Sequence, residues 1–227
     1  LSPHPTPYQI YFYDTMLYTP MQTILNNPVS LCFPRDQVDP VRLKGALETV
    51  FSNYAVFSTV LSHDEAGNPV MRHIPGKIVH PEITETEKHT KDMLAEMIRP
   101  YSLNGELLYR CRIYLTQTAV ILDLDTCHLI SDGSAMANFI SELFAAYRGE
   151  KLRQDHYYYY LENQYRRQME LEQEADARLL MERFSREEYL CNPVPDLVSR
   201  RTGNGRFLSR TKLTLAQLQQ GGEKLHS

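Results

Sequence analysis

The chain has 227 residues, of which 42% are hydrophobic and 23% are charged, and its formal net charge is −4 at pH 7. These values are typical of a globular protein and exclude the collagen-like and intrinsically disordered classes. Because the charge balance is slightly acidic, we expect no nucleic-acid partner and no membrane partner.

Targeting segments and metal sites are not expected either. No run approaches the roughly 18 apolar residues that a membrane-spanning helix needs, and residues 1–7 lack a basic segment followed by a hydrophobic one, so we expect a cytoplasmic protein. The four cysteines have neither zinc-ligand spacing nor the density of a disulfide framework. We expect mostly reduced thiols that pack as small hydrophobic residues, and no metal.

Strand-like and helix-like patterns alternate along the first part of the chain. Apolar residues at helical spacing, capping residues, period-two alternation and turn residues define the boundaries. In chain order, the sequence predicts a strand at 29–33, a helix from Asp39 to residue 54, a hairpin made from runs 56–61 and 69–74, a helix at 93–98 that ends before Pro100, strands at 107–115 and 119–126, and a helix at 134–148 that ends at Gly149.

The last predicted strand leads into the densest site pattern of the chain. Apolar residues occupy one face of this strand and two aspartates occupy the other, so a continued period of two places His128 on the apolar face. The pattern at residues 126–133 is Thr-Cys-His-Leu-Ile-Ser-Asp-Gly, at the junction between this strand and the next helix. A histidine at such a junction can have one ring nitrogen fixed by a backbone carbonyl and the other free to accept a proton.

His128 and Asp132 also have purely structural interpretations. His128 could be a hydrogen-bonded core histidine. Asp132 could orient the imidazole or pair with a buried arginine, and we favour the pairing because a four-residue turn tends to point two side chains in different directions. Gly133 removes a side chain where a ligand can approach the backbone closely.

The character of the sequence changes after the helix at 134–148. Residues 157–190 are tyrosine-rich, charged and helix-forming, and they fit a bridge between lobes, a dimer surface or a solvated face. Strand-like alternation returns at residues 206–215 and is followed by an incomplete amphipathic helix pattern. Since the apolar face of such an element needs a partner, we expect a further lobe to follow.

The pattern His128-x-x-x-Asp132-Gly133 resembles the active-site motif of the condensation domains of nonribosomal peptide synthetases, which are relatives of chloramphenicol acetyltransferase. Other stretches agree in order and cover nearly the whole chain. Residues 8–14 resemble the family's opening segment, residues 100–103 and 107–110 resemble its Pro-Phe-Asp-Leu and Pro-Leu-x-Arg segments, and residues 39–53 with 57–59 fall where the family carries Arg-His-Glu-x-Leu-Arg-Thr.

The resemblance implies an α/β fold, an α+β sandwich in which a chloramphenicol acetyltransferase-like lobe has a mixed sheet flanked by helices. Because a long segment follows the motif, the two-lobed condensation type fits best. We therefore predict an N-terminal acyltransferase-like lobe at residues 1–175, a bridging segment at 176–205, and the beginning of a truncated C-terminal lobe at 206–227.

The activity that the resemblance implies is acyl transfer, with formation of a peptide or amide bond. The acyl donor is a 4′-phosphopantetheine thioester on a carrier protein, or coenzyme A, and the acceptor is an amine or hydroxyl. No cofactor is expected to bind tightly. The implied partners are peptidyl or acyl carrier protein domains and the missing C-terminal lobe, without which this part of the domain is expected to have little activity.

The resemblance also implies roles for individual residues. His128 is the implied catalytic residue, and Asp132, Gly133, Arg110 and Cys127 are the implied structural residues of the active site.

Two positions depart from the family pattern. Cys127 stands where the family has the first of two histidines, and Ser58 stands where it has the arginine that pairs with the aspartate of the motif. Arg110, on the neighbouring strand, is the substitute that we expect to pair with Asp132. The departures leave a degenerate module that only docks carrier proteins as an alternative. A stand-alone acyltransferase that uses coenzyme A, and an unrelated α/β domain with an accidental motif, are the other two.

Overall fold

A computed structural model describes residues 3–102, 105–173 and 182 of the chain. The chain divides into two units, Leu1–Leu180 and Met181–Ser227, and nearly all of the described residues lie in the first. The predicted bridging segment at 176–205 and the predicted C-terminal lobe at 206–227 therefore fall almost entirely outside the described residues, and the predicted domain boundaries stay predictions.

The described part contains helices and strands in mixed order. The helices are α1 (Pro7–Tyr18), α2 (Pro40–Asn53), α3 (Lys91–Met97), α4 (Gly133–Arg148) and α5 (Tyr157–Gln173), with a short 3-10 helix at Ala55–Ser58. The strands are β1 (Asn26–Pro34), β2 (Thr59–His63), β3 (Pro69–His73), β4 (Ile83–Glu85), β5 (Tyr109–Leu115) and β6 (Ala119–Cys127).

A four-stranded sheet with the order β1-β6-β5-β4 forms the centre of this structure. β6 is antiparallel to both of its neighbours, whereas the short edge strand β4 pairs with β5 in parallel. β2 and β3 form a separate antiparallel hairpin. The predicted α/β class, with a mixed sheet flanked by helices, is confirmed.

The main hydrophobic core lies between this sheet and the helices α2 and α4. Leu47, Val50 and Phe51 of α2 and Leu143 of α4 are fully buried in it, against the apolar face of β5 and β6 that carries Leu122. Burial of this apolar surface is the main force that holds the helices on the sheet.

Local sequence signals explain where these helices begin and end. The carboxylate of Asp39 accepts hydrogen bonds from the backbone N–H groups of Val41 and Arg42 at 2.8 and 2.9 Å, and Pro40 occupies the first helical position of α2. Gly149 ends α4 in the left-handed conformation, with φ of 78°, which glycine adopts without steric cost. Both boundaries agree with the sequence prediction.

A second hydrophobic cluster joins α1, the β2–β3 hairpin and the first turns of α5 around the end of β6. Its buried members are Phe12, Tyr13, Met16, Leu25, Leu61, Met71, Tyr101, Leu108, Cys127, Leu129 and Leu161. This cluster packs against the residues of the predicted site.

The prediction of a strand from residue 56 is wrong at its first three residues. These residues belong to the 3-10 helix, and β2 begins only at Thr59. The hydroxyl groups of Ser58 and Thr59 both donate to the carbonyl of Ala55, at 3.3 and 2.6 Å, and such local side-chain bonds favour a turn over a strand.

We expect substitution of the core residue Leu47 by alanine to lower the free energy of unfolding by roughly 2–5 kcal/mol, because it leaves a cavity between α2 and the sheet. Val41→Ala, on the same helix, is the matched control because Val41 is 70% exposed; its effect should stay within about 0.5 kcal/mol. Urea denaturation of the two variants measures the difference, and equal losses would contradict the proposed position of the core.

Candidate functional site

The predicted site lies where the central strand β6 ends and α4 begins. The backbone N–H of Cys127 donates to the carbonyl of Leu108 at 2.8 Å, and the backbone N–H of His128 donates to the carbonyl of Leu25 at 2.7 Å. Main-chain hydrogen bonds therefore hold the end of β6 on both sides, and the bond to Leu25 holds the backbone of His128 one residue beyond the strand.

The imidazole of His128 stacks on the ring of Phe12 in α1, with ring centroids 4.7 Å apart and an angle of 24° between the planes. Because β6 ends at Cys127, the period of two does not reach His128, and the ring lies against α1 rather than in the core under α2 and α4. The residue is half-buried.

The ring nitrogen Nδ1 of His128 is buried and has no hydrogen-bond partner within the described part of the chain. The sequence analysis expected a backbone carbonyl to fix one ring nitrogen, and for Nδ1 the structure shows no such bond. Stacking on Phe12 and the backbone bond to Leu25 orient this imidazole instead.

Helix α1 supplies site contacts that the sequence analysis missed. The side-chain amide of Gln9 donates to the carbonyl of Leu129 and to the hydroxyl of Tyr157, both at 3.1 Å. Gln9 thereby ties the loop after His128 to α1 and α5. A signal for this helix is present in the sequence, because Thr6 and Gln9 form a capping box around a proline at the first helical position.

Asp132 is the N-cap of α4. It is exposed, and its carboxylate accepts a hydrogen bond of 2.7 Å from the backbone N–H of Ala135. Gly133 is the first residue of α4, and a side chain added there would meet no atom of the described structure within 4 Å. This open space beside Gly133 leaves room for a ligand to approach the backbone.

The prediction that Arg110 pairs with Asp132 is wrong. The guanidinium of Arg110 binds Asp125 at 3.2 Å and Glu106 at 2.8 Å instead. Arg110 and Asp125 lie directly opposite each other on β5 and β6, whereas Asp132 lies beyond the end of the strand. Strand register, which brings cross-strand neighbours together, decides the pairing.

Asp125 is completely buried and is the centre of a polar cluster. Its oxygen Oδ2 accepts hydrogen bonds from Asn26 at 2.6 Å, Tyr101 at 3.0 Å and Arg110 at 3.2 Å, whereas Oδ1 has no partner among the described residues. Burial raises the pKa of Asp125 above its ordinary value of 3.8, and these donors offset only part of that effect.

A second buried carboxylate follows the same face of β6. Asp123 accepts hydrogen bonds from the hydroxyl of Ser30 at 2.6 Å and lies 2.7 Å from the ring nitrogen Nε2 of His89. The sequence predicted that both aspartates share one face, and the structure shows in addition that this face is covered by residues around α3.

Cys127 and Ser58, the two departures from the family pattern, are both buried. Burial raises the pKa of the Cys127 thiol to about 12, so this thiol stays protonated and packs as a small hydrophobic group. Cys111 is buried in the same way, whereas Cys32 is exposed, and Cys191 lies outside the described residues.

The described residues contain no metal site. Within residues 3–102 and 105–173, no group of three His, Cys, Asp or Glu side chains is arranged to hold a metal ion. Two surface depressions lie beside α2, one against Tyr147 and one against His80, and neither includes His128. The histidine itself therefore defines the candidate site.

A comparison with protein families assigns the chain to a family. The chain matches the model of the condensation domain over residues 5–224. It belongs to the condensation-domain family. The match includes the whole segment from α1 through the motif to α5, and it confirms the family that the sequence analysis identified by resemblance.

Two curated relatives are similar to part of the chain. The chain is 32% identical over 134 residues to surfactin synthase subunit 2 of Bacillus subtilis (strain 168), which covers 58% of this chain and 4% of that protein. It is 25% identical over 134 residues to tyrocidine synthase 3 of Brevibacillus parabrevis, covering 56% of this chain and 2% of that protein. The chain thus spans only a small fraction of the length of these relatives.

Solved condensation domains have the same fold. The first condensation domain of the CDA synthetase is 16% identical with a TM-score of 0.56, covering 67% of this chain and 42% of that one. The starter condensation domain of rhizomide synthetase is 12% identical with a TM-score of 0.63, covering 77% and 45%. The predicted chloramphenicol acetyltransferase-like fold is confirmed.

The X-domain from teicoplanin biosynthesis is also similar, with 17% identity, a TM-score of 0.60, and coverage of 76% of this chain and 40% of that one.

Of the helices in the described part of the chain, none combines the length and the apolar composition that crossing a bilayer requires.

The capping role of Asp132 predicts a modest effect on stability. We expect Asp132→Ala to lower the free energy of unfolding by about 0.5–2 kcal/mol, and Asp132→Ser to retain most of it, because serine also caps helices well. Urea denaturation measures both. A loss of roughly 3–5 kcal/mol that serine does not restore would indicate a buried ion pair instead.

The raised pKa of Asp125 predicts a pH-dependent difference between the wild type and Asp125→Asn. Above pH 3.8 the folded protein holds the Asp125 proton more tightly than the unfolded chain does, so this residue makes the wild type less stable as the pH rises through the folded pKa. The stability of Asp125→Asn relative to the wild type should therefore increase from pH 4 towards neutral pH. Urea denaturation at several pH values measures it, and a constant difference would contradict it.

Proposed function

We propose that the chain is part of a condensation domain that transfers an acyl group from a phosphopantetheine thioester to an amine or hydroxyl acceptor, as one step of nonribosomal peptide synthesis. The donor is carried by a peptidyl or acyl carrier protein domain. Membership of the condensation-domain family and similarity to subunits of peptide synthetases support this proposal.

In the proposed reaction, the carbonyl carbon of the thioester exchanges its bond to sulfur for a bond to nitrogen or oxygen. The acceptor nitrogen or oxygen attacks the carbonyl carbon of the thioester, the new C–N or C–O bond forms, the C–S bond breaks, and the proton of the acceptor is delivered to the released thiolate. Holding the thioester and the acceptor at attack distance supplies much of the acceleration. The protein therefore needs one group that moves a proton and a shaped space that aligns the two substrates.

The observation that carries the proposal is the placement of His128. It is the histidine of the pattern that resembles the family motif, its backbone is held at the end of the central strand, and the residue is half-buried. The reaction needs a group that takes the proton of the acceptor and delivers it to the thiolate, and histidine is the residue type that most often acts in this way. We assign this proton transfer to His128.

The remaining motif residues have supporting roles in the proposal. Asp132 caps α4 and fixes the turn after His128, and Gly133 keeps the space beside the N-terminus of α4 open. Cys127 fills the buried position beneath the histidine, and Arg110 neutralises Asp125 in the cluster below it. A C-terminal lobe would supply the opposing wall of the substrate channel.

We expect His128→Ala to abolish acyl transfer in the full-length protein in which the chain occurs, because it removes the group to which we assign the proton transfer. His80→Ala is the matched control, since His80 is exposed and pairs with Glu48 at the surface. Product formation is measured by mass spectrometry with acyl-carrier and acyl-CoA donors, and a urea transition confirms that both variants fold. Retained transfer by His128→Ala would refute the assignment.

A module that only docks carrier proteins is the second candidate. Cys127 and Ser58 favour it, because they replace a histidine and an arginine of the family motifs, and the capping contact of Asp132 involves no arginine. This candidate predicts that the full-length protein binds an acylated carrier but forms no product with any donor, and that His128→Ala leaves binding unchanged. Product formed from acyl-CoA alone would indicate a stand-alone acyltransferase.

A further inference from the structure

The position of the His128 backbone depends on the first residues of β1. The N–H of His128 donates to the carbonyl of Leu25 at 2.7 Å, and Leu25 directly precedes Asn26, the first residue of that strand. Whatever holds Leu25 and Asn26 in place therefore also holds His128.

The side chain of Asn26 is buried and makes two hydrogen bonds. Its amide donates to Oδ2 of Asp125 at 2.6 Å and to the carbonyl of Arg99 at 3.0 Å. Asn26 lies opposite Cys127 in the register of β1 and β6, so its bond to Asp125 runs diagonally between the strands. The bond ties the start of β1 to β6, the strand that ends one residue before His128.

Asp125 is itself held from several directions. Tyr101 and Arg110 donate to the same oxygen that Asn26 contacts, and the guanidinium of Arg110 lies 3.9 Å from the centre of the Tyr101 ring. Arg110 also binds Glu106 and the carbonyls of residues 99 and 100. The Oδ2 atom is therefore a fixed point, since groups from the strand β5 and the segment before it determine its position.

We propose that the hydrogen bond between Asn26 and Asp125 positions the His128 imidazole, by fixing the carbonyl of Leu25 to which the His128 backbone binds. Asn26 and Asp125 are positioning residues and do not touch the substrates. Since Nδ1 of His128 has no partner among the described residues, a displaced backbone moves the ring relative to Phe12 directly.

The chain offers a matched control for this proposal. Ser30 lies on the same face of β1 and donates to Asp123 at 2.6 Å, so it also joins β1 to a buried carboxylate of β6 by a bond of equal length. Ser30 follows Asn26 by four residues on β1, so its bond lies further from His128 than the Asn26 bond does. A general loosening of the sheet would appear in both variants, whereas loss of positioning would appear only at Asn26.

The first readout is the position of the ring itself, measured by NMR of the histidine side chains in the 227-residue chain. Because the His128 ring is stacked on Phe12, its protons resonate upfield, and His128→Gln identifies their signals. We expect Asn26→Ala to shift these signals downfield and Ser30→Ala to leave them in place. Unchanged signals in Asn26→Ala, or equal shifts in both variants, would overturn the proposal.

Two further variants separate positioning from loss of folding. Asp125→Asn retains an oxygen that can accept from Asn26, so the His128 signals should stay upfield. Asn26→Ser is a milder test if Asn26→Ala fails to fold, because the short hydroxyl cannot span the diagonal to Asp125, and the signals should again move downfield. Adding Asp125→Ala to Asn26→Ala should cause no additional shift of the His128 signals. Additive shifts would contradict the proposal that the two residues act through one hydrogen bond.

The second readout rests on the proposed function. In the full-length protein we expect Asn26→Ala to lower kcat for acyl transfer on the order of a hundredfold, because small displacements of catalytic groups have effects of this size. The KM should change by less than about threefold, and Ser30→Ala should match the wild type. A wild type that forms no product would refute the proposed function, while the NMR comparison would still decide the positioning role.

Discussion

The hydrogen bond between the N–H of His128 and the carbonyl of Leu25 is the contact on which the candidate site depends. β6 lies between two antiparallel neighbours, and this bond continues the pairing for one residue after the strand has ended. Because α4 begins a few residues later, capped by Asp132, the chain between the two elements has little freedom. A histidine in this turn keeps a defined position without a hydrogen bond from its Nδ1 to a described residue.

The two faces of the central sheet bury different kinds of side chain. One face buries apolar side chains under α2 and α4 and supplies most of the stabilising surface. The other face buries Asp123 and Asp125, each of which needs donors from other elements because an unpaired buried carboxylate is costly. These donors come from β1, β5 and the residues around α3, so the polar face links distant segments of the chain. Such links restrict the relative positions of the segments that form the candidate site.

The pattern that resembles the family's active-site motif lies at a strand–helix junction, between β6 and α4. Cys127, one of the two departures from the family pattern that the sequence analysis noted, is protonated and packs in the second hydrophobic cluster with Leu108 and Leu129. A small hydrophobic group suits this buried position. The adjacent residue, His128, is half-buried, and the proposed chemistry belongs to it.

The sequence alone determined the elements whose signals are local: Asp39 and Pro40 at the start of α2, the alternation along β6, and Gly149 at the end of α4, together with the motif that identified the family. Only the tertiary structure decided the partner of Arg110, because strand register places it opposite Asp125. It also decided that Phe12 stacks on His128. Capping and periodicity depend on neighbours within a few residues, whereas these contacts join segments separated along the chain, and packing of the whole domain selects them.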